Sequence, residues 1–311
     1  MASTLLMVEP NDFGFNEETA GSNSFQKNPR ITSFGGEGVQ DSKLQALREF
    51  NLAVELLRIN DIQVITFPSP ENFKCPDAVF PNNWFSTHHS GQLIIYPMLT
   101  PNRRAERNPL IIDYLKNNFE VSEIIDLSAN ENENKIIEGT GSIVFDHENK
   151  LAYACISPRT NEKLLDELCK KLNYTPIVFE ALDLNGNQIY HTNVVMAIGK
   201  KYFVICLDCI ENTLEKSMII QKIKESGKEL IEISISQMNS FAGNMLEVEN
   251  SAEKSILVMS NTAYNSLNTS QIKILSNYSQ LLPLAIKTIE TIGGGSARCM
   301  MAEIYFSSKI P

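Results

Sequence analysis

The chain has 311 residues, 43% of them hydrophobic and 21% charged, with a formal net charge of −10 at pH 7. That apolar share supports a packed core and sets the chain apart from disordered sequences. The acidity, with no basic run longer than the Arg103–Arg104 pair, argues against a nucleic-acid partner, because such a surface repels phosphates.

In chain order, "TLLMVEP" is an apolar run stopped by Pro10 and reads as a buried strand. The N-terminus lacks the basic start and apolar length of a signal peptide, and no stretch has the length of a membrane span. With six scattered cysteines read as free thiols, the expectation is a soluble cytoplasmic protein with no membrane partner. Asn11–Gly38 reads as a long loop able to cover a site. "SKLQALREFNLAVELLRIN" then carries Leu44, Leu47, Ala53, Leu56 and Leu57 at helical spacing, with Asp41 or Ser42 as cap, and "IQVITF" follows as a strand. The same helix–strand unit recurs as "RRAERNPLIIDYLKNNF" and "VSEIIDL", "RTNEKLLDELCKKLN" and "YTPIVFEA", "NTLEKSMIIQKIKESG" and "KELIEISI", and "TSQIKILSNYS" and "QLLPLAI". Helix starts recur roughly every 50 to 60 residues, the spacing of a repeat architecture. "GSIVFDHENKLAYACI", "NVVMAIGKKYFVICL" and "NMLEVENSAEKSILVMS" are each two apolar runs about a polar or Gly turn, the signature of a hairpin. The pattern predicts an α/β chain of five strand-strand-helix-strand repeats in a closed ring. No Pro/Gly/Ser linker divides it, so residues 1–311 read as one domain.

Two features that resemble ligand motifs read more simply. The "CLDC" pair, Cys206 and Cys209, lacks the second pair or His partner that structural zinc needs, and reads as buried thiols at a strand end. "GGEG" and "GGGS" lack the context of a nucleotide loop and read as tight turns or close backbone approaches. Neither a metal nor an organic cofactor is expected.

Three residues stand at the mouths of different strand units. Cys299 lies in "GGGSARCMMAEI", after a glycine run and directly after Arg298, a setting that offers a thiolate access and nearby positive charge. His191 lies in "QIYHTNVVMAI" and Glu138 in "IIEGTGSIVF". Singly, they read as an inert thiol, a surface histidine and a solvent carboxylate. Together they supply a nucleophile, an acid/base and an orienting carboxylate, sequentially remote as nucleophilic catalysis allows.

"DAVFPNNW", "EGTGS", "SPRTNE", "YHTNVV" and "GGGSARCMMAEI" occur in that order. The set resembles the guanidino-group-modifying enzymes: arginine deiminases, dimethylarginine dimethylaminohydrolases and amidinotransferases. That resemblance implies the pentein fold, a five-bladed α/β-propeller with pseudo-fivefold symmetry. It implies Cys299 as nucleophile, His191 as general acid/base and Glu138 as the carboxylate that binds substrate nitrogens. It places Arg103 and Arg159 near the substrate, where a guanidinium can pair bidentately with a substrate carboxylate. Asp77 matches the opening aspartate of the family's D-x-x-F-x-x-D pattern.

The chain departs from that pattern at two positions. Asn83 stands where relatives that handle arginine carry the closing aspartate, and His191-Thr192-Asn193 replaces H-x-D. A carboxylate only accepts hydrogen bonds, whereas an amide also donates. A guanidinium only donates; a ureido group has the same flat shape, is neutral, and has an oxygen that accepts. Asn83 or Asn193, with Asn82 beside the first, therefore fits a ureido group better, and an amino-acid substrate such as citrulline is expected. In the "FPNNW" and "SARCM" regions the chain looks like the citrulline ureidases, which would release ornithine, carbon dioxide and ammonia. The alternatives are an arginine deiminase, dimethylarginine hydrolase or amidinotransferase with the same Cys-His-Glu set, and a non-catalytic pentein-fold binding protein. Asn244 in "SFAGNMLEV" lines the site by analogy or simply forms a strand-start turn.

Overall fold

In the computed structural model, which describes residues 1–28 and 39–309, the apolar runs become short strands in five three-stranded sheets. Strand β1 (Thr4–Val8) runs parallel to β2 (Gln63–Phe67), reached through the helix Val39–Ile59. Next, β3 (Phe85–Thr87) pairs antiparallel with β4 (Gln92–Ile95), which runs parallel to β5 (Glu123–Asp126). The plan repeats in β6 (Val144–Asp146), β7 (Leu151–Cys155) and β8 (Thr175–Phe179). It repeats again in β9 (Met196–Ile198), β10 (Tyr202–Ile205) and β11 (Glu229–Glu232). A further copy is β12 (Leu246–Glu249), β13 (Ser255–Ser260) and β14 (Gln280–Leu284). Finally, β15 (Ala302–Ile304) pairs antiparallel with β1, Thr4 opposite Ile304, and gives the first sheet the same plan. The three expected hairpins are present as β6–β7, β9–β10 and β12–β13; β3–β4 is a fourth that the sequence reading passed over.

Parallel neighbours need a crossover, and helices Pro109–Asn118, Glu162–Leu172, Thr213–Ser226 and Thr269–Tyr278 supply the other four. An asparagine caps each of these: the side chains of Asn108, Asn161, Asn212 and Asn268 accept from first-turn N–H groups. The first crossover helix differs from its expected form. It starts at Val39, so Asp41 and Ser42 lie inside it, past the cap position. It buries Ala46, Phe50, Ala53, Val54 and Leu57 and leaves Leu44 exposed, a face rotated from the one expected. "RRAERNPLIIDYLKNNF" splits into Pro101–Arg104 and Pro109–Asn118. Pro109 has no N–H to continue a helix but suits the first position of a new one.

The core lies between neighbouring sheets. Leu6 and Ile304 of the first pack with Phe85 and Leu93 of the second. Ile94 and Ile125 of the second pack with Ala152 and Leu168 of the third unit. Tyr153 and Phe203 join the third and fourth, and Met259 joins that cluster from the fifth. Val248 and Val258 of the fifth pack with Leu5 and Val64 of the first. No unit buries its own apolar face, so each depends on its neighbours. Among the described residues, no helix is long and apolar enough to cross a membrane. The "GGEG" stretch lies outside the described residues, as does the end of the expected Asn11–Gly38 loop.

Candidate active site

A short turn precedes the antiparallel strand of every sheet: Pro81–Asn83 before β3, Gly139–Ser142 before β6, Thr192–Val195 before β9, Phe241–Asn244 before β12 and Ala297–Met300 before β15. These are the sequence motifs, and the fold gathers them. Gly141 shows how tightly: a Cβ there would stand 2.5 Å from Asn83 Nδ2 and 2.7 Å from His191 Nδ1. The "GGGS" run comes against the Phe80 ring, where a Cβ at Gly293 or Gly295 would approach within 2.8 or 2.9 Å.

Asp77, Asn83, Arg103, Arg159, His191 and Cys299 line one small cavity of about 10 Å³, the space of a single water. His191 Nε2 and Glu138 Oε2 are 3.0 Å apart, and both residues are buried. Burial lowers the His191 pKa to about 4 despite the Glu138 hydrogen bond and charge, which oppose it. Burial pushes Glu138 the other way, but Arg159, His191 and Arg103 together bring it well below the usual carboxylate range. At neutral pH the pair is thus a neutral imidazole beside an ionised carboxylate. Asp77 is raised by burial, with Arg103, Asn16, Arg159 and Thr19 opposing.

Cys299 is buried, and two amides address its sulfur: Asn193 Nδ2 at 3.4 Å and Asn244 Nδ2 at 3.3 Å. Arg298, expected to lend positive charge, turns away. Its Nη1 donates to Met301 O at 2.9 Å and its Nη2 to Glu303 Oε2 at 2.6 Å.

Both expected carboxylate binders are engaged by protein groups. Arg103 grips Glu106 with two bonds of 2.9 Å and donates to Asn83 Oδ1 at 2.8 Å. Arg159 Nη1 donates to Glu138 Oε2 at 3.2 Å, Nη2 donates to Ser22 Oγ at 2.8 Å, and the guanidinium lies over the Tyr190 ring. The two adjacent asparagines diverge. Asn83 lines the cavity, whereas Asn82 does not and donates instead to Thr140 Oγ1 at 3.1 Å, tying two turns together. Asn193, expected to face substrate, turns its N–H to the sulfur. Glu106, Ser22 and Tyr190 were missed by the sequence reading. The Arg103-x-x-Glu106 spacing was the available signal for the first.

The described part of the N-terminal loop covers the cavity. Asn16 Nδ2 and Thr19 Oγ1 donate to Asp77 Oδ2 at 2.7 and 3.1 Å, and Asn23 Nδ2 donates to Gly294 O at 3.3 Å. A larger cavity of about 300 Å³ is also present, lined by Asn193, Arg298, His147, Glu303 and Tyr305. His191 and Cys299 line the small cavity and not this one, so the small cavity is the candidate site. Cys206 and Cys209 are both buried after β10, and Cys209 Sγ donates to Cys206 O at 3.0 Å.

A family model described as N,N dimethylarginine dimethylhydrolase, eukaryotic, matches residues 9–306. No curated protein matches the chain. Among solved structures, the N-terminal domain of ArgZ, an arginine dihydrolase from the Ornithine-Ammonia Cycle in Cyanobacteria, is 14% identical with a TM-score of 0.74; the match covers 96% of this chain and 97% of that domain. Unliganded AgrE is 16% identical with a TM-score of 0.74, over 96% of this chain and 39% of AgrE. DDAH from Pseudomonas aeruginosa, as a Cys→Ser variant complexed with citrulline, is 16% identical with a TM-score of 0.66, over 98% of this chain and 100% of that one. At such identities the likeness shows the fold, a mixed α/β fold of the pentein type.

Proposed function

This chain belongs to the eukaryotic N,N-dimethylarginine dimethylhydrolase family, and from that premise we propose that it is a cysteine-dependent C–N hydrolase acting on the ureido group of a citrulline-like amino acid. One observation carries the reading. A guanidinium can only donate, so the Asn83 atom bonded to Arg103 is the amide oxygen, and the buried Nδ2, without a protein partner, is left for the cavity. Asp77 Oδ1, also buried and unpartnered, adds an acceptor on the wall of the same cavity. A donor beside an acceptor complements a ureido group, which has one oxygen and several N–H groups. A guanidinium would set its N–H against that of Asn83.

In the mechanism, neutral His191 takes the Cys299 proton while Asn193 and Asn244 hold the sulfur. The thiolate attacks the ureido carbon. The imidazolium then protonates the leaving nitrogen as the C–N bond breaks, leaving an S-carbamoyl or equivalent thioester-like intermediate. His191 next takes a proton from water as it attacks, and the C–S bond breaks. Ionised Glu138 stabilises each imidazolium. The net reaction consumes one water and yields ornithine, carbon dioxide and ammonia. Five blades in a closed propeller, acting as one domain, are the scaffold that goes with this reading.

A second reading, hydrolysis of a guanidino group, is favoured by the family description and by Asp77 on the cavity wall, a carboxyl group that suits a cation. Product analysis separates them. With L-citrulline, L-arginine, methylated arginines and agmatine as substrates, ornithine and ammonia from citrulline are expected, and Cys299→Ala abolishes them. Citrulline formed from arginine or a methylarginine, with no turnover of citrulline itself, overturns the ureido reading.

A further inference from the structure

We propose that Glu106 and Arg103 form a positioning pair that fixes which end of the Asn83 amide faces the substrate, and thereby sets the preference for ureido over guanidino groups. This deepens the ureido reading and rests on it for the identity of the preferred ligand.

All three guanidinium nitrogens of Arg103 are engaged by protein groups. Nε and Nη2 grip the two oxygens of Glu106, Nη2 also donates to Phe80 O at 3.3 Å, and Nη1 holds Asn83 Oδ1. Arg103 and Glu106 are each 2% exposed, so the fork is shielded from water. Two parallel charge-assisted bonds fix the guanidinium plane. Rotating the Asn83 amide would bring N–H against N–H, so the clamp selects the rotamer that presents a donor to the cavity.

The fork is also a restraint against rival carboxylates. Arg103 Nη1 is 3.7 Å from Glu138 Oε2, and Nε is 4.0 Å from Asp77 Oδ2. Without the charge of Glu106, these two would draw the guanidinium toward the substrate side and release Asn83 Oδ1. The amide would then turn either end to the ligand. An aspartate at this position has oxygens at both ends, so the clamp would have nothing to choose. The prediction is therefore coupled: Glu106 matters to specificity only while residue 83 is an asparagine.

The test is a double-mutant cycle between Glu106→Gln and Asn83→Asp, read as the ratio of kcat/KM for citrulline to that for arginine. Arg103→Lys, which keeps the charge and loses the fork, is a second entry into the same cycle. The same ratio is measured by calorimetry as relative affinity in the Cys299→Ala background, where turnover plays no part. Glu106→Gln and Arg103→Lys are each expected to lower the citrulline:arginine ratio at least tenfold with Asn83 present, and to leave it within about twofold in the Asn83→Asp background. A scaffold role would reduce both ligands alike and leave the ratio constant in both backgrounds, which overturns the proposal. Wild-type enzyme without citrulline turnover would overturn the ureido reading. The positioning role would still stand if the affinity ratio moved only in the asparagine background, and fall if it did not.

Discussion

Asn244 Nδ2 donates to the main-chain oxygen of Asn193 at 2.8 Å and reaches Cys299 Sγ at 3.3 Å. A carbonyl only accepts, so this contact fixes the amide orientation and aims an N–H at the sulfur. Replacing Asn244 by Asp should place an acceptor against two acceptors. We expect Asn244→Ala to lower kcat about tenfold and Asn244→Asp to lower it further. Alkylation of Cys299 by iodoacetamide should slow in the same order. Unchanged alkylation in Asn244→Asp would remove the sulfur-holding role.

Acid should destabilise the fold earlier than carboxylate titration alone would. Burial lowers His191 and His147 to about 4 and His88 to about 3. In the unfolded chain each returns to about 6.5. Above that value neither state binds the proton and stability is level. As pH falls from 6.5 toward 4, the unfolded state takes up protons that the native state refuses. Stability is then lost at up to about 1.4 kcal/mol per pH unit for each histidine. The histidine contribution should appear in thermal melts as a decline from about pH 6 downward. His191→Gln should make the decline shallower.

Gly141→Ala should harm catalysis more than folding. Its Cβ would displace the Asn83 amide and the His191 ring at once. Overpacking of this kind costs about 1–3 kcal/mol, while misplaced reacting groups cost about 100-fold in rate. Comparing kcat/KM with the melting temperature would show the split; near-normal kcat/KM would mean that the turns give way freely.

Ser22 joins the covering segment to Arg159 through bonds of 2.8 and 3.2 Å. Ser22→Ala should cost about 1.5–3 kcal/mol, since it leaves a buried charged guanidinium short of an acceptor, and should loosen the cover. Iodoacetamide should then label Cys299 several-fold faster. If labelling is unchanged, this bond does not control access.

The helix–strand alternation and three hairpins were legible because they rest on local periodicity. The placement of Cys299, His191 and Glu138 at the turns before strands was legible because each sits beside a glycine-rich or strand-start motif. The β15–β1 pairing was not, since nothing in "MAEI" names a partner as distant as "TLLMV". The commitments of Arg103 and Arg159 were hidden for a related reason: a guanidinium's partner depends on which carboxylates the fold brings near. Neighbouring residues also separated in space. Asn82 and Asn83 look alike in sequence, but consecutive residues of a 3₁₀ turn point in different directions, and only Asn83 lines the cavity.

The pairing of β15 with β1 bears on the order of events during synthesis. The turn that carries Cys299 leads directly into β15, and β15 finds its place only against β1, a strand made far earlier in the chain. Contacts of such separation carry a large loop-closure cost and form late. While the ribosome is still extending the chain, the covering segment, Glu138 and His191 can already be present, but Cys299 does not yet stand among them. Cys299 is seated only when β15 meets β1, so a chain cut before β15 has no assembled candidate site.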